Sequence, residues 1–218
     1  MLHSVAEDGA VDDGVVLEDH QFLAWATSDS IVARVEGFLA RVDLIDGSTE
    51  RIGEVGGPFD AVVAGEWLWY AAAGEVTALH DTGFATTFPV EDRYEFHSVD
   101  STGQVALASV VIAGSEMVVL DALAATRVAL PPVAPDDRFF LGGVLSPDGA
   151  LVFRTARTGD GEHTLLVAEV GAVAGGDGWR ELSIVMPVAM STTAVWLDAS
   201  TFRVSLYDSV AEVRLLAN

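Results

Sequence analysis

Short apolar runs of four to eight residues, rich in Val, Leu, Phe and Trp and closed by Gly, Asp, Ser or Thr, follow one another along most of the chain. Few windows carry the spacing of an amphipathic helix, so the pattern predicts strands joined by turns. Phe38 to Leu44 alternates and meets Asp46-Gly47, a two-residue hairpin signal, before Glu50 to Val55 resumes as a strand. Trp67 to Ala71 ends at Gly74, and Val76 to Leu79 runs through Asp81-Thr82-Gly83 into Phe84 to Val90. Val105 to Ala113 is followed by Met117 to Asp121 and Arg127 to Leu130. Leu151 to Thr155 is followed by Leu165 to Val170, a glycine-rich hairpin loop over Gly171 to Gly178, and Trp179 to Val185. Three last strands are expected over Ala194 to Asp198, Phe202 to Tyr207 and Val210 to Leu216. Trp67 and Trp69 are two apart, so a strand points both to one face and Leu68 and Tyr70 to the other. Flat side chains there suit packing between sheets, with a carbohydrate-stacking platform as the functional alternative. Trp25, Trp179 and Trp196 fall in or beside strands and read as core.

The runs repeat. Asp92-Arg93-Tyr94-Glu95-Phe96, opening towards Gly103, lines up with Asp137-Arg138-Phe139-Phe140-Leu141, opening towards Gly149. Gly74, Gly114 and Gly159 close successive strands at spacings of 40 and 45 residues. Dividing the 218 residues by five gives about 44 per unit, within the roughly 40–45 of a four-stranded propeller blade. No helix-length crossover intervenes, so neighbouring strands should pair antiparallel. One such sheet cannot bury both faces alone, but sheets packed about an axis can.

Ser146-Pro147-Asp148-Gly149, followed by the apolar Ala150 to Phe153, resembles the repeat signature of TolB-like and WD40-like β-propellers. Pro presets the first turn dihedral, Asp bonds the turn backbone and Gly takes the positive-φ position, so the motif reads as a hairpin corner and not a site. Asp100-Ser101-Thr102-Gly103 is a degenerate version, and Val63 to Glu66 and Leu197 to Ser200 are more distant ones. The resemblance covers about residues 58–208. It implies an all-β fold: a β-propeller of about five four-stranded antiparallel blades, taken as a single domain over residues 1–218. Two readings of closure stand. In one, Leu2 to Val5, within an acidic segment spanning residues 1–14, supplies the outer strand that the last unit lacks. In the other, the propeller is incomplete and is finished by another chain or by sequence outside this one; an open edge would then drive oligomerisation, whereas a closed ring would be monomeric.

Charge narrows the partners. The chain carries 33 acidic and 11 basic side chains, a net −22, with half its residues apolar. That composition is too apolar for disorder, and too acidic for nucleic-acid backbone or an anionic membrane surface. No apolar stretch reaches the roughly 18–20 residues of a bilayer span, and the N-terminus lacks the basic and apolar segments of an export signal. The expectation is a cytoplasmic location as the sequence stands, or export directed by a segment outside it. With no Cys, thiolate catalysis and Cys-ligated zinc are excluded.

Chemistry-bearing motifs are scarce. His3, His20, His80, His97 and His163 lack ligand spacing, and the acids at Glu7-Asp8 and Asp12-Asp13 read as a solvated tail, so no metal or other cofactor is expected. If the outer-to-inner loops and the second-to-third-strand loops share one rim, that rim carries Asp60, Asp92, Arg93, Asp137, Arg138, Asp160, Glu162 and His163. It is the candidate binding surface, and its repeated Asp-Arg pair is the preferred element within it. The expected function is non-catalytic: a binding or scaffold propeller recognising a basic protein or peptide on this acidic rim. The alternative is a glycan-active hydrolase of five-bladed propeller type, with Asp60 and Asp137 approaching across the axis. That chemistry needs two carboxyl groups about 5–10 Å apart, one with a raised pKa.

Overall fold

The computed structural model describes residues 20–54, 60–72, 74–90, 94–110, 116–130, 143–157, 163–171, 180–186, 193–206 and 209–215. These residues form five antiparallel sheets, each a meander whose strands are neighbours in sequence. Sheet one is β1 (His20–Trp25), β2 (Ser30–Val35), β3 (Phe38–Asp43) and β4 (Thr49–Glu54). Sheet two is β5 (Asp60–Ala64), β6 (Trp67–Ala72), β7 (Glu75–His80) and β8 (Ala85–Pro89). Sheet three is β9 (Tyr94–Val99), β10 (Val105–Val110), β11 (Glu116–Asp121) and β12 (Thr126–Leu130). Sheet four is β13 (Gly143–Leu145), β14 (Leu151–Arg157), β15 (His163–Glu169) and β16 (Arg180–Met186). The fifth has three strands among the described residues: β17 (Thr193–Trp196), β18 (Thr201–Leu206) and β19 (Ser209–Arg214).

Strand alternation decides which sheets meet. Trp67 and Trp69 face sheet three, where they bury against Tyr94, Ala106, Ala108 and Leu120. Leu68 and Tyr70, on the opposite face of the same strand, pack with Val32 and Leu39 of sheet one. The same division continues along the chain. Leu107, Met117 and Val119 pack on Leu145 and Val152, while Phe153 and Val167 pack on Trp196 and Phe202. Each of the three middle sheets therefore hides both faces by giving one to each neighbour. The first strands stand side by side in chain order, β1 next to β5, then β9, β13 and β17, as the inner strands of blades about a hub. The architecture is that of a β-propeller, and it is open: no comparable contact joins β17 to β1 among the described residues.

Indole donors fasten this stack. Trp69, fully buried, donates from Nε1 to the Gly103 carbonyl of the next sheet at 2.7 Å and stacks on Phe88 with its ring plane tilted by 14°. Trp196 donates from Nε1 to the Val144 carbonyl of the preceding sheet at 3.2 Å. Gly103 lies in the β9–β10 turn and Val144 on an inner strand with an unpaired edge, so each indole adds a hydrogen bond between sheets that the ladders do not supply. The Leu145 amide does the reverse, donating to Ser98 Oγ at 2.8 Å.

Two sequence expectations change. The hairpin at Asp46-Gly47 has a four-residue loop, Leu44 to Gly47, in place of a two-residue one, because Asp43 holds it open. Its Oδ1 accepts from the Ile45 amide at 2.7 Å and more weakly from Asp46 at 3.3 Å. Trp25 is not core: it is 53% exposed at the end of β1, edge-to-face with Phe22. The β1–β2 register shifts between Phe22 and Ala24, so Leu23 packs inward towards sheet two while Phe22 and Trp25 turn to the other face. Trp179 lies outside the described residues.

Gly103 tests how closely the sheets approach. It sits at φ +80°, and a Cβ there would run into the Ala64 carbonyl oxygen of sheet two and crowd Trp67 at 3.0 Å. Gly37 has a similar φ of +92° with open space around it. Gly37→Ala is expected to lose roughly 1–2 kcal/mol of backbone strain alone, and Gly103→Ala about 2–4 kcal/mol. Urea midpoints of the two variants check the difference, and equal losses would contradict the tight approach of sheets two and three.

Candidate functional site

An antiparallel meander alternates its turns between two ends, so each end of the propeller is a rim of loops. One rim gathers the starts of the inner strands, the turns between second and third strands and the ends of the outer strands. This is the rim the sequence picks out. Asp60 is the first residue of β5 and His163 the first of β15, which places both at this end. Asp92, Arg93, Asp137, Arg138, Asp160 and Glu162 lie outside the described residues, as do the acids of residues 1–14. Tyr94 opens β9 and was not singled out as a candidate. Its buried hydroxyl accepts from Arg127 Nε at 3.1 Å, and the same guanidinium holds Glu116 at 2.6 Å. This arrangement ties the inner strand of sheet three to its outer strand.

The opposite rim carries the turns between first and second strands and between third and fourth strands. Many of its carboxylates accept hydrogen bonds from their own turns. In Ser146-Pro147-Asp148-Gly149, the fully buried Ser146 hydroxyl donates to Asp148 Oδ1 at 2.6 Å and accepts from the Leu151 amide at 2.9 Å. Asp148 also takes the Ala150 amide. In Asp100-Ser101-Thr102-Gly103 the same turn is built with the groups exchanged. Asp100 accepts from the Thr102 hydroxyl at 2.6 Å and from the Val105 amide at 2.9 Å. The two corners then touch: Ser101 donates through both its amide and its hydroxyl to the Pro147 carbonyl, at 2.8 and 2.6 Å. Asp121 caps the Leu123 and Ala124 amides, and Asp198 takes the amide and hydroxyl of Ser200. The hairpin-corner reading of the motif holds.

Hydrogen bonds to these carboxylates favour the charged form. The Ser146 hydroxyl lowers the Asp148 pKa, burial opposes it, and the Ala150 amide adds a smaller lowering. Ser48 does the same for Asp46 and Ser200 for Asp198. All three remain ionised down to acid pH and serve as acceptors. Two charged contacts add to this rim. Arg41 of sheet one reaches Asp81 of sheet two at 2.9 Å, and His80, when protonated, pairs with Glu66 at 3.1 Å. Both pairs are largely solvent-facing and contribute little stability. Among the described residues no group of three or more His, Asp or Glu is arranged to hold a metal ion, and no helix is long and apolar enough to cross a membrane. Arg154, 1% exposed on the sheet-three face of β14, is a buried cation that the alternating pattern does not foretell.

Comparison with family models finds no match, and comparison with curated proteins finds none either. Similarity appears in structure. Kluyveromyces lactis Hsv2, a WD40-like propeller, superposes with a TM-score of 0.63 at 13% identity, over 94% of this chain and 70% of that one. The tricorn protease matches at a TM-score of 0.60 and 13% identity, over 86% of this chain and 18% of the other. Protein lmo1340 of Listeria monocytogenes matches at 0.57 and 9%, over 92% and 68%. These likenesses carry the propeller fold and nothing of activity. With five sheets filling 70% of the Hsv2 chain, each accounts for about 14%, so the unmatched 30% has the length of roughly two further units.

The exchanged corners make a double-substitution test. Ser146→Asp alone sets two carboxylates against each other and should cost about 1–3 kcal/mol. Ser146→Asp with Asp148→Thr rebuilds the arrangement of the Asp100 corner and should recover most of that loss in urea unfolding. A double variant no more stable than the single one would mean that the corners are not interchangeable. Acid unfolding supplies a second test. Because Asp46, Asp148 and Asp198 have folded pKa values below their ordinary ones, their contribution is complete above about pH 4 and is lost as pH falls below it. Asp148→Asn should therefore flatten the fall in stability below about pH 4 and leave the shape of the profile above it unchanged.

Proposed function

We propose that this chain is a non-catalytic propeller scaffold that captures a basic protein or peptide segment on the rim formed by the starts of its inner strands. The observation that supports the reading is that many carboxylates of the opposite rim are committed to their own loops. Carboxylates of the opposite rim accept hydrogen bonds from their own turns: Asp43, Asp100, Asp121, Asp148 and Asp198 each hold a loop in shape. A partner recruiting them would have to replace contacts that the fold needs. The sequence puts Asp60, Asp92 and Asp137 at or before inner strands, and Asp160 and Glu162 in a second-to-third-strand loop of the same end, within a chain of net charge −22. A field of that sign raises the encounter rate with cations and makes capture sensitive to ionic strength.

A nona-arginine peptide titrated calorimetrically into the protein tests this. Raising NaCl from about 50 to about 500 mM should weaken binding at least tenfold, the Debye length falling from roughly 14 to roughly 4 Å. Asp92→Asn with Asp137→Asn should weaken it further, whereas Asp198→Asn on the opposite rim should not. Absence of binding, indifference to salt, or equal loss from either rim would overturn the reading.

A further inference from the structure

Three of the eight large apolar side chains that stay exposed among the described residues share one end of the stack. Val195 at 58%, Val210 at 61% and Leu197 all lie on the outward face of the fifth sheet. The facing is set by register: Trp196, Phe202 and Val213 point towards sheet four, so their strand neighbours point away. In the three middle sheets this face is buried by the next sheet; here it is bare, and β19 forms an open edge among the described residues. The other end of the stack differs. Sheet one leaves Phe22 and Trp25 half exposed near the hub, but Ile31, Ala33 and Val42 at the centre of its outward face are fully buried, with no hydrophobic of sheet five in their cluster.

That asymmetry constrains how copies can associate. A head-to-tail stack, sheet five of one copy on sheet one of the next, needs two bare faces, and Ile31, Ala33 and Val42 at the centre of sheet one have no exposed surface left to bury. Sheet five on sheet five, about a twofold axis, uses the one broadly bare face twice and closes at two copies. Charge agrees. The face carries Arg203, Arg214 and Glu212, with Arg203 and Glu212 paired at 2.6 Å, so it is locally +1 on a chain of net −22. About a twofold axis each Glu212 can meet an arginine of the other copy.

The geometry points to a homodimer formed by the outward faces of the two fifth sheets, centred on Val195 and Val210. This surface is separate from the rim proposed for a basic partner. Sedimentation equilibrium of the full chain should give twice the 22.9 kDa chain mass at micromolar concentration. Val195→Ser with Val210→Ser should raise the dimer dissociation constant at least tenfold, whereas Phe22→Ser with Trp25→Ser on sheet one should leave it within twofold. Added salt should tighten the dimer by screening the shared negative charge, the opposite sign from its effect on nona-arginine binding, so the two readings can fail independently. Since the chain has no Cys, Val210→Cys adds a single thiol, which should react with a maleimide more slowly at dimer-forming concentrations than on dilution. A monomer at all concentrations, an open-ended series of oligomers, loss of the dimer from the sheet-one substitutions, or a thiol whose reactivity ignores concentration would each overturn the proposal.

Discussion

A four-stranded meander of residues that are apolar on both faces cannot be stable alone, because water reaches at least one face. Covering both faces with neighbouring sheets is the constraint from which the rest of this structure follows. It explains why β6 carries large side chains at consecutive positions, Trp67, Leu68, Trp69 and Tyr70, where a half-solvated strand would alternate apolar and polar. It also explains why hydrogen bonds between sheets lean on side chains: sheets pack face to face, so groups such as Trp69 Nε1 and Ser98 Oγ bridge them, and backbone meets backbone only where two turns touch, at the Ser101 amide and the Pro147 carbonyl.

The same constraint separates what was legible in the sequence from what was not. The second and third strands of sheets two to four were readable because their runs, such as Trp67 to Ala72 and Val105 to Val110, are mostly apolar on both faces and are followed by turn residues. The four-residue loop after β3 was not readable from Asp46-Gly47, since Asp43, outside the dipeptide, decides it by binding two amides. Trp25 was misread because residue type predicts burial only if the strand stays in register, and β1 slips by one residue before it gets there. The interchange of Asp100 and Thr102 for Ser146 and Asp148 was half legible: the motif was visible in one blade, its mirror in the other only once the hydrogen bonds were seen.

The rim was legible as topology and not as chemistry. Alternating turns of a meander must put the loops holding Asp92, Asp137 and Asp160 at one end, together with Asp60 and His163, whatever their conformations. What those side chains touch is a property of loop conformation, which spacing does not encode. Sequence reasoning also missed that many of the acids on the opposite rim are structural. A carboxylate within a turn of Ser, Thr and Gly is there to accept backbone amides, and the cue was present: Asp43, Asp121 and Asp198 each precede by two residues the amide they bind.

Acidity and openness act against each other in this molecule, and their balance sets how it can assemble. A net charge of −22 disfavours contact between copies, more so at low ionic strength, and so protects a stack with unfinished ends from polymerising. Protection by charge is only as good as its distribution, and it fails where cations gather. The fifth sheet sets Arg203 and Arg214 around its exposed valines, so the general repulsion is weakest on the face where the hydrophobic gain from burial is greatest. An open propeller with uniform negative charge would be a soluble monomer with bare ends, and one with uniform apolar ends would be a fibre. With one end covered and the other both apolar and cationic, association has a single favourable face, and a single face yields a finite assembly.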